Sequence, residues 1–304
     1  MNKKKILITG ANGLLGQKLI SQLVAGKEFD VLASGRGPCR IPGDGFDYVS
    51  MDITNKAEVI EVFETQKPEI VIHGAAMTQV DDCELHREAC YEANVRATEN
   101  LLSGAQGCNS HFIFVSTDFI FSGDKGPLTE DEEASPVNYY GETKLLAEGK
   151  VMASGLKWAI ARTVLVYGIS HDMSRSNIIL WVKKSLEEGK SIKVVNDQWR
   201  TPTLAEDLAA GCILIAQKEA QGVYNISGED FLTPYDMAMM TADYFHLDKS
   251  LITKADSSTF TQPAKRPPKT GFIIDKAKKE LGYQPKSFRS GIDILAKQII
   301  LARS

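Results

Sequence analysis

Ten residues near the amino end, ITGANGLLGQ (8–17), restrict what this chain can fold into more than any other stretch. They follow the apolar run KILIT and lead into Leu15, Leu19, Leu23 and Val24 at helical spacing. Gly10, Gly13 and Gly16 therefore fall where a buried strand turns into an amphipathic helix. Small residues at such a junction let the backbone turn sharply, so that amide groups and the positive end of the helix can approach a diphosphate. The spacing is G-x-x-G-x-x-G rather than G-x-G-x-x-G, and the strand before it and the helix after it are what mark a dinucleotide cradle. Asn12, Leu14 and Leu15 lie within that cradle and join the glycines as candidate cofactor residues.

The rest of the first half repeats the pattern. FDVLAS, PEIVIHGAA and HFIFVST read as further buried strands, with helices expected at 55–66 and 82–105 and another beginning near Asn138. LKWAIARTVLVYG reads as a further strand. The economical architecture is α/β, a Rossmann-type doubly wound parallel sheet. After Gly168 the pieces are smaller: a helix near 175–188, the strand SIKVV, a Trp-Arg-Thr-Pro loop, a further helix and GVYNISG. We expect residues 1–168 to form the NAD(P)-binding domain. Residues 169–304 are expected to form mainly a smaller α/β substrate-binding subdomain, some segments of which can return to the main domain.

A net charge of −4 on 304 residues gives no global attraction to nucleic acid or to an anionic membrane. No apolar run approaches the roughly 18 residues of a membrane span, and the one before Gly10 is too short for a signal-peptide core. The five cysteines are odd in number and contain no C-x-x-C, which argues against a disulfide framework and a zinc site. A cytoplasmic protein without metal is the expectation.

NAD-selective sites usually present an acid to the ribose 2'-hydroxyl about 20 residues beyond the glycines. Here the second strand ends ASGRGPCR, with Arg36 where the acid would stand and Arg40 nearby. A guanidinium suits a 2'-phosphate through charge-assisted bonds, which favours NADP(H) and leaves NAD(H) open. Further on, NYYGETKLLAE (138–148) sets Tyr140 and Lys144 four apart on one helix face. A neighbouring ammonium stabilises a phenolate and would draw the tyrosine toward neutral titration, fitting it for proton transfer. Thr117 ends a predicted strand, at the sheet edge where such folds bind ligands. Its hydroxyl could stabilise an oxyanion developing on a carbonyl.

In order, TGANGLLG, HGAAMTQVDDCE, ANVRAT, STDFIFSG, YYGETK and RTVLVYG resemble the extended short-chain dehydrogenase/reductases. Within that superfamily the chain is most similar to the dTDP-4-dehydrorhamnose reductase group, through NDQWRTPT, GVYNISG and KRPPKTGFIIDKAKKELGYQP. The resemblance implies Tyr140 as proton donor, Lys144 as its pKa setter and nicotinamide-ribose ligand, and Thr117 as oxyanion stabiliser. It places Asp52 and Ile53 beside the adenine, and Ala75, Ala76, Met77 and Val115 along the cofactor. Thr78, Val80, Ser116, Asp118, Leu165, Trp199, Arg200 and Arg266 fall on the substrate side.

The implied reaction is NADPH-dependent reduction of a 4-keto nucleotide sugar. Dehydratases of the superfamily carry Asp-Glu after the strand threonine, whereas here Asp118 is followed by Phe119, which argues against elimination. Two positions depart from the group: Leu165 stands where TSWVYG would place a stacking Trp, and Met77 stands in a turn that commonly reads AAHT or AAYT. His73 reads as a packed residue rather than a catalytic one. The resemblance also admits a regulator like the beta subunit of methionine adenosyltransferase, or a nucleotide-sugar epimerase or dehydratase, and a homodimer through the helices at 82–105 and 138–154.

Overall fold

The computed structural model describes residues 3–171 and 177–301. The first half runs β1 (Lys4–Thr9), α1 (Leu14–Gly26), β2 (Phe29–Gly35), β3 (Asp47–Ser50), α2 (Lys56–Gln66), β4 (Ile70–His73), α3 (Val80–Leu85), α4 (Arg87–Tyr91), α5 (Ala97–Cys108), β5 (His111–Thr117), α6 (Tyr139–Met152) and β6 (Trp158–Thr163). The second half adds β7 (Val166–Tyr167), α7 (Ile178–Glu187), β8 (Ile192–Val195), β9 (Thr203–Leu204), α8 (Ala205–Gln217), β10 (Gly222–Asn225), α9 (Pro234–Tyr244), β11 (Ile252–Ala255) and α10 (Phe288–Leu301).

Seven strands form one sheet in the order β10-β6-β5-β4-β1-β2-β3, with every pairing parallel. The strands alternate across it: Ile6 and Ile8 of β1 pack with Leu19, Leu23, Leu208 and Ile215 of α1 and α8. Leu7, Val71, Phe112 and Ile160 pack on the other face with Val59, Phe63, Leu101 and Val151 of α2, α5 and α6. Helices on both faces explain why the strands read as unbroken apolar runs. The strand order reverses between β1 and β4, which opens a crevice at their carboxyl ends.

Four sequence expectations are modified. The helix expected at 82–105 is interrupted at His86 (φ −127°, ψ 58°) and contains a π turn at Glu92–Arg96. LKWAIARTVLVYG leaves the sheet after Thr163: Leu165 has a φ of +37°, and Val166–Tyr167 then pair with β9 instead. GVYN, grouped by sequence with the smaller pieces, pairs with β6 in the central sheet. The helix expected near 175 is seen from Ile178, capped by Asn177, its first expected residues lying outside those described. β8 and β11 form a separate two-stranded parallel pair beside α7 and α9.

Glu148 of α6 and Arg162 of β6 form a buried two-pronged ion pair, with N–O distances of 3.0 and 2.7 Å. Arg162 also donates to the Glu130 carbonyl at 3.0 Å, so the acidic segment at 129–135 is fastened to the sheet at that point. Glu148→Leu would strand a buried guanidinium and should lower unfolding free energy by about 3–5 kcal/mol in a denaturant titration. Adding Arg162→Met should recover most of that loss; no recovery would mean that the stranded charge is not what destabilises the single variant.

Candidate active site

The glycine turn presents open backbone to the crevice. Gly10 has a φ of +74°, and a Cβ on Gly16 would lie 2.4 Å from the Gly10 carbonyl oxygen. Only glycine lets α1 start that close to the turn. The first turn of α1 holds no acid, and Gly13 at its N-cap supplies no side-chain bond. The amide groups and positive end of this helix are thus directed at the crevice, the arrangement a diphosphate requires. Asn12 accepts from the Arg40 amide at 2.9 Å and donates to Tyr48 and the Pro38 carbonyl, both at 3.2 Å. It thereby fastens the loop after β2 over the cradle. Leu14 lies beneath the turn near Gly168.

Arg36 is exposed just beyond β2, and its charge acts on Asp52. Burial raises the Asp52 carboxyl, but bonds from the Thr54 amide and hydroxyl, with Arg36, outweigh it and hold the group below its ordinary value. The adjoining Ile53 carbonyl accepts from Asn100 Nδ2 at 3.1 Å. Across the crevice, a Cβ on Gly10 would come within 3.0 Å of Ala75. The turn Ala75–Ala76–Met77 is held by Asn94, whose Oδ1 accepts from the Met77 amide at 2.8 Å and whose Nδ2 donates to the Met77 carbonyl at 3.1 Å.

Thr117 ends β5, and α6 starts over it. Asn138 caps α6, accepting from the Gly141 amide at 2.9 Å and donating to the Lys265 carbonyl at 2.8 Å. A Cβ on Gly141 would lie 2.0 Å from the Phe119 carbonyl oxygen, so glycine is what allows the first turn of α6 to rest on the segment after Thr117. Tyr140, Thr117, Ser116, Asp118 and Lys144 are all buried. Ser116 Oγ has no hydrogen-bond partner among the described residues, an orphaned group that suits a ligand. The cradle, the exposed Arg36 and this orphaned hydroxyl fit a dinucleotide with a substrate beside it.

Lys144 Nζ donates to the Val115 carbonyl at 2.8 Å and lies 3.9 Å from the centre of the Phe114 ring. Burial pulls it down to about 7, with Glu148 and Cys90 acting the other way. Tyr140 moves opposite to the sequence expectation. Burial pushes its phenol above the ordinary value, and a Thr117 hydrogen bond only partly offsets this. The desolvation of a phenolate, reinforced by Asp118, Cys83 and Cys90, outweighs the Thr117 bond, and the Lys144 ammonium is directed at the Val115 carbonyl. Tyr140 therefore holds its proton at neutral pH.

Asp118 accepts from Thr117 at 3.1 Å and from the Thr270 hydroxyl, with Arg200 Nε at 3.7 Å. Burial nevertheless raises its carboxyl. Arg200 donates to the carbonyls of Trp199, Pro267 and Pro268, so much of its guanidinium is committed to bonds within the second half of the chain, and Asp118 is its contact with the first. Arg266 forks onto Asp81 of α3. Trp199 packs against Phe231, with ring centres 5.3 Å apart. Leu165 is 43% exposed, while Met77, Val80 and Phe119 pack with Cys83, Cys90 and Tyr140. Thr78 follows Met77 into the start of α3.

Sequence reasoning missed Asn94, Asn100, Asn138 and Thr270. Asn138 carries a local signal, an Asn directly before a helix; the others act on residues distant in the chain.

Lys144 yields a pH signature. With its folded value below the unfolded one of 10.5, the unfolded chain binds more protons between about 7 and 10.5, and stability rises with pH across that window. The destabilising effect is complete below about 7. Lys144→Met should therefore raise the melting temperature most at pH 6–7, the gain shrinking toward pH 9.5; a pH-independent difference would refute the lowered value.

Comparison with known proteins matches residues 4–300 to the family model for the RmlD substrate binding domain. A dTDP-4-dehydrorhamnose reductase from Aggregatibacter actinomycetemcomitans is 31% identical over 95% of this chain and 97% of its own length. The methionine adenosyltransferase 2 subunit beta of Xenopus tropicalis is 32% identical over 81% of this chain and 74% of its own. The crystal structure of the Bacillus anthracis dTDP-4-dehydrorhamnose reductase in complex with NADP superposes with a TM-score of 0.85 at 26% identity, covering 97% of this chain and 99% of that one.

Proposed function

We propose that this chain, which belongs to the RmlD substrate binding domain family, is an NADPH-dependent reductase of a 4-keto nucleotide sugar resembling dTDP-4-dehydrorhamnose. The observation that carries the reading is a buried Tyr140 beside Thr117, at the sheet edge next to the dinucleotide cradle. When bound, the nicotinamide supplies hydride to the carbonyl carbon. Tyr140 donates a proton to the carbonyl oxygen, and the Thr117 hydroxyl, which turns its one proton from Asp118 to that oxygen, bonds it more strongly as negative charge develops there. Lys144, which reaches from α6 to the Val115 carbonyl, orients the ribose and eases loss of the Tyr140 proton in this reading.

Arg36 takes the 2'-phosphate of NADP(H), with NAD(H) accepted more weakly. Gly10 to Gly16, Asp52, Ile53 and Ala75 to Met77 line the cofactor. Ser116, Asp118, Thr78, Val80, Leu165, Trp199, Arg200 and Arg266 surround the sugar nucleotide. In this reading residues 1–168 chiefly hold the cofactor and the remainder chiefly the substrate. Phe119 in place of a glutamate leaves no second acid for eliminating water. We also propose a cytoplasmic homodimer. Leu146 and Met152 of α6, 49% and 41% exposed, lie on one of the helices expected to pair, and a monomeric mass by light scattering would remove it.

A regulatory subunit is the second reading, favoured by the similarity to methionine adenosyltransferase 2 subunit beta. Following NADPH absorbance with a panel of 4-keto nucleotide sugars separates the two. Sugar-dependent oxidation lost in Tyr140→Phe, with NADPH affinity retained, is the expected result; tight binding with no turnover on any sugar favours the regulator. Arg36→Ala should weaken NADPH at least tenfold more than NADH, by about 1.4 kcal/mol or more. An equal loss for both would take Arg36 away from the 2'-phosphate.

A further inference from the structure

His73 is the last residue of β4, separated by Gly74 from the turn at Ala75–Met77, and is only 1% exposed. It takes no part in the chemistry above, yet both ring nitrogens are bonded. Nδ1 lies 2.8 Å from the Thr9 hydroxyl and Nε2 lies 3.1 Å from the Thr98 hydroxyl. The direction of each bond follows from counting protons. Thr98 gives its one hydroxyl proton to the Asn94 carbonyl at 2.7 Å, so the proton between Thr98 and His73 belongs to Nε2. In a neutral ring Nδ1 then accepts, from Thr9, whose oxygen accepts in turn from the Ala75 amide at 3.3 Å. Burial and the charge of Lys144 push His73 down to about 3, which keeps the ring neutral. The rings of Phe112 and Phe114 enclose it, with centres 6.0 and 5.6 Å away.

One unbroken chain therefore runs from the Ala75 amide through Thr9, His73 and Thr98 to the Asn94 carbonyl. A second arm leaves the same residue, because the Asn94 side chain holds both backbone groups of Met77 and also donates to Thr143 Oγ1 at 3.1 Å. Thr143 precedes Lys144 and donates to the Tyr140 carbonyl at 2.9 Å. Both ends of the Ala75–Met77 turn, and the first turns of α6, are thus tied to the π turn at Glu92–Arg96. Widened turns of this kind are common at functional sites.

We propose that His73 is a positioning residue: as a neutral ring protonated on Nε2 it sets, through Thr9 and Thr98, the height of the Ala75–Met77 turn against which the cofactor lies. The proposal rests on the reading of that turn as part of the cofactor site. No polar residue other than a histidine of fixed tautomer supplies an acceptor at Nδ1 and a donor at Nε2 across one strand. Asn at this position keeps a group near Nδ1 only, and Gln keeps one near Nε2 only.

Two measurements test it on the full chain. Nitrogen-15 spectra of the histidines, without cofactor, should show one ring in the Nε2–H form with no titration between pH 5 and 8, absent from His73→Asn. Fluorescence titration with NADPH alone should give a dissociation constant roughly tenfold higher in His73→Leu, the effect of orphaning a buried hydroxyl. Asn and Gln should give smaller rises. Thr98→Val tests the same chain if His73→Leu does not fold: it should weaken NADPH severalfold, and Thr98→Ser should restore native affinity. At saturating NADPH, kcat should change less than the dissociation constant. Variants that melt lower yet bind NADPH like the native protein would make His73 merely structural, and an Nδ1–H or titrating ring would overturn the chain of bonds. A native protein that does not bind NADPH would remove the cofactor reading and the proposal together, whereas native binding with unaffected variants would remove the proposal alone.

Discussion

Tyr140, Lys144 and Glu148 recur every four residues along α6, and all three are turned into the protein. A helix that directs a phenol, an ammonium and a carboxylate inward is tenable only where each polar end finds a partner. Glu148 receives the two-pronged Arg162, Lys144 reaches the Val115 carbonyl, and Tyr140 meets Thr117. These partners lie on β5 and β6, so the stripe fixes α6 across both strands and fixes its rotation as well. Gly141 and the Asn138 cap then determine how closely its first turn approaches Thr117. The site is assembled by the way this one helix is buried.

Much of the central sheet was legible because its signal is local. Strands covered on both faces need continuous apolar runs, and the glycines after β1 are demanded by a close backbone approach within a few residues. β3 was not legible: Asp47–Ser50 is a short edge strand, with no fully buried residue to set a pattern. GVYN was recognisable as a strand, but its place beside β6 depends on pairing with residues some sixty positions away, which no local pattern encodes. The end of the sixth strand was misread for a related reason. Val164 to Tyr167 remains apolar, and only the positive φ at Leu165 diverts the chain from the sheet.

The site divides along the same line. Motif spacing brought forward Thr117, Tyr140 and Lys144, and the structure places them together; it could not supply the sign of the Tyr140 shift. Four residues along a helix guarantee proximity, whereas the dielectric around the phenol depends on Phe119, Cys83 and Cys90, which come from other segments. His73 was correctly read as packed, yet packing and hydrogen bonding are separate properties, and the direction of its bonds requires Thr9 and Thr98, one on each side of it in the sequence.

The seam between the two halves follows a stricter rule than either half. Asp118 belongs to the segment after β5, while Arg200 and Thr270 arrive from the second half, and all three are buried together. Burial raises the acid and lowers the base, so their attraction only partly offsets desolvation. The seam is stabilised instead by what surrounds the pair: carbonyls of Trp199, Pro267 and Pro268 around the guanidinium, and hydroxyls of Thr117 and Thr270 on the carboxyl group. Because Thr117 is one of those hydroxyls, the residue read as the oxyanion donor is oriented by the bond network that holds the second half in place. A change in the KRPPKTG segment therefore reaches Thr117 through Thr270 and Asp118.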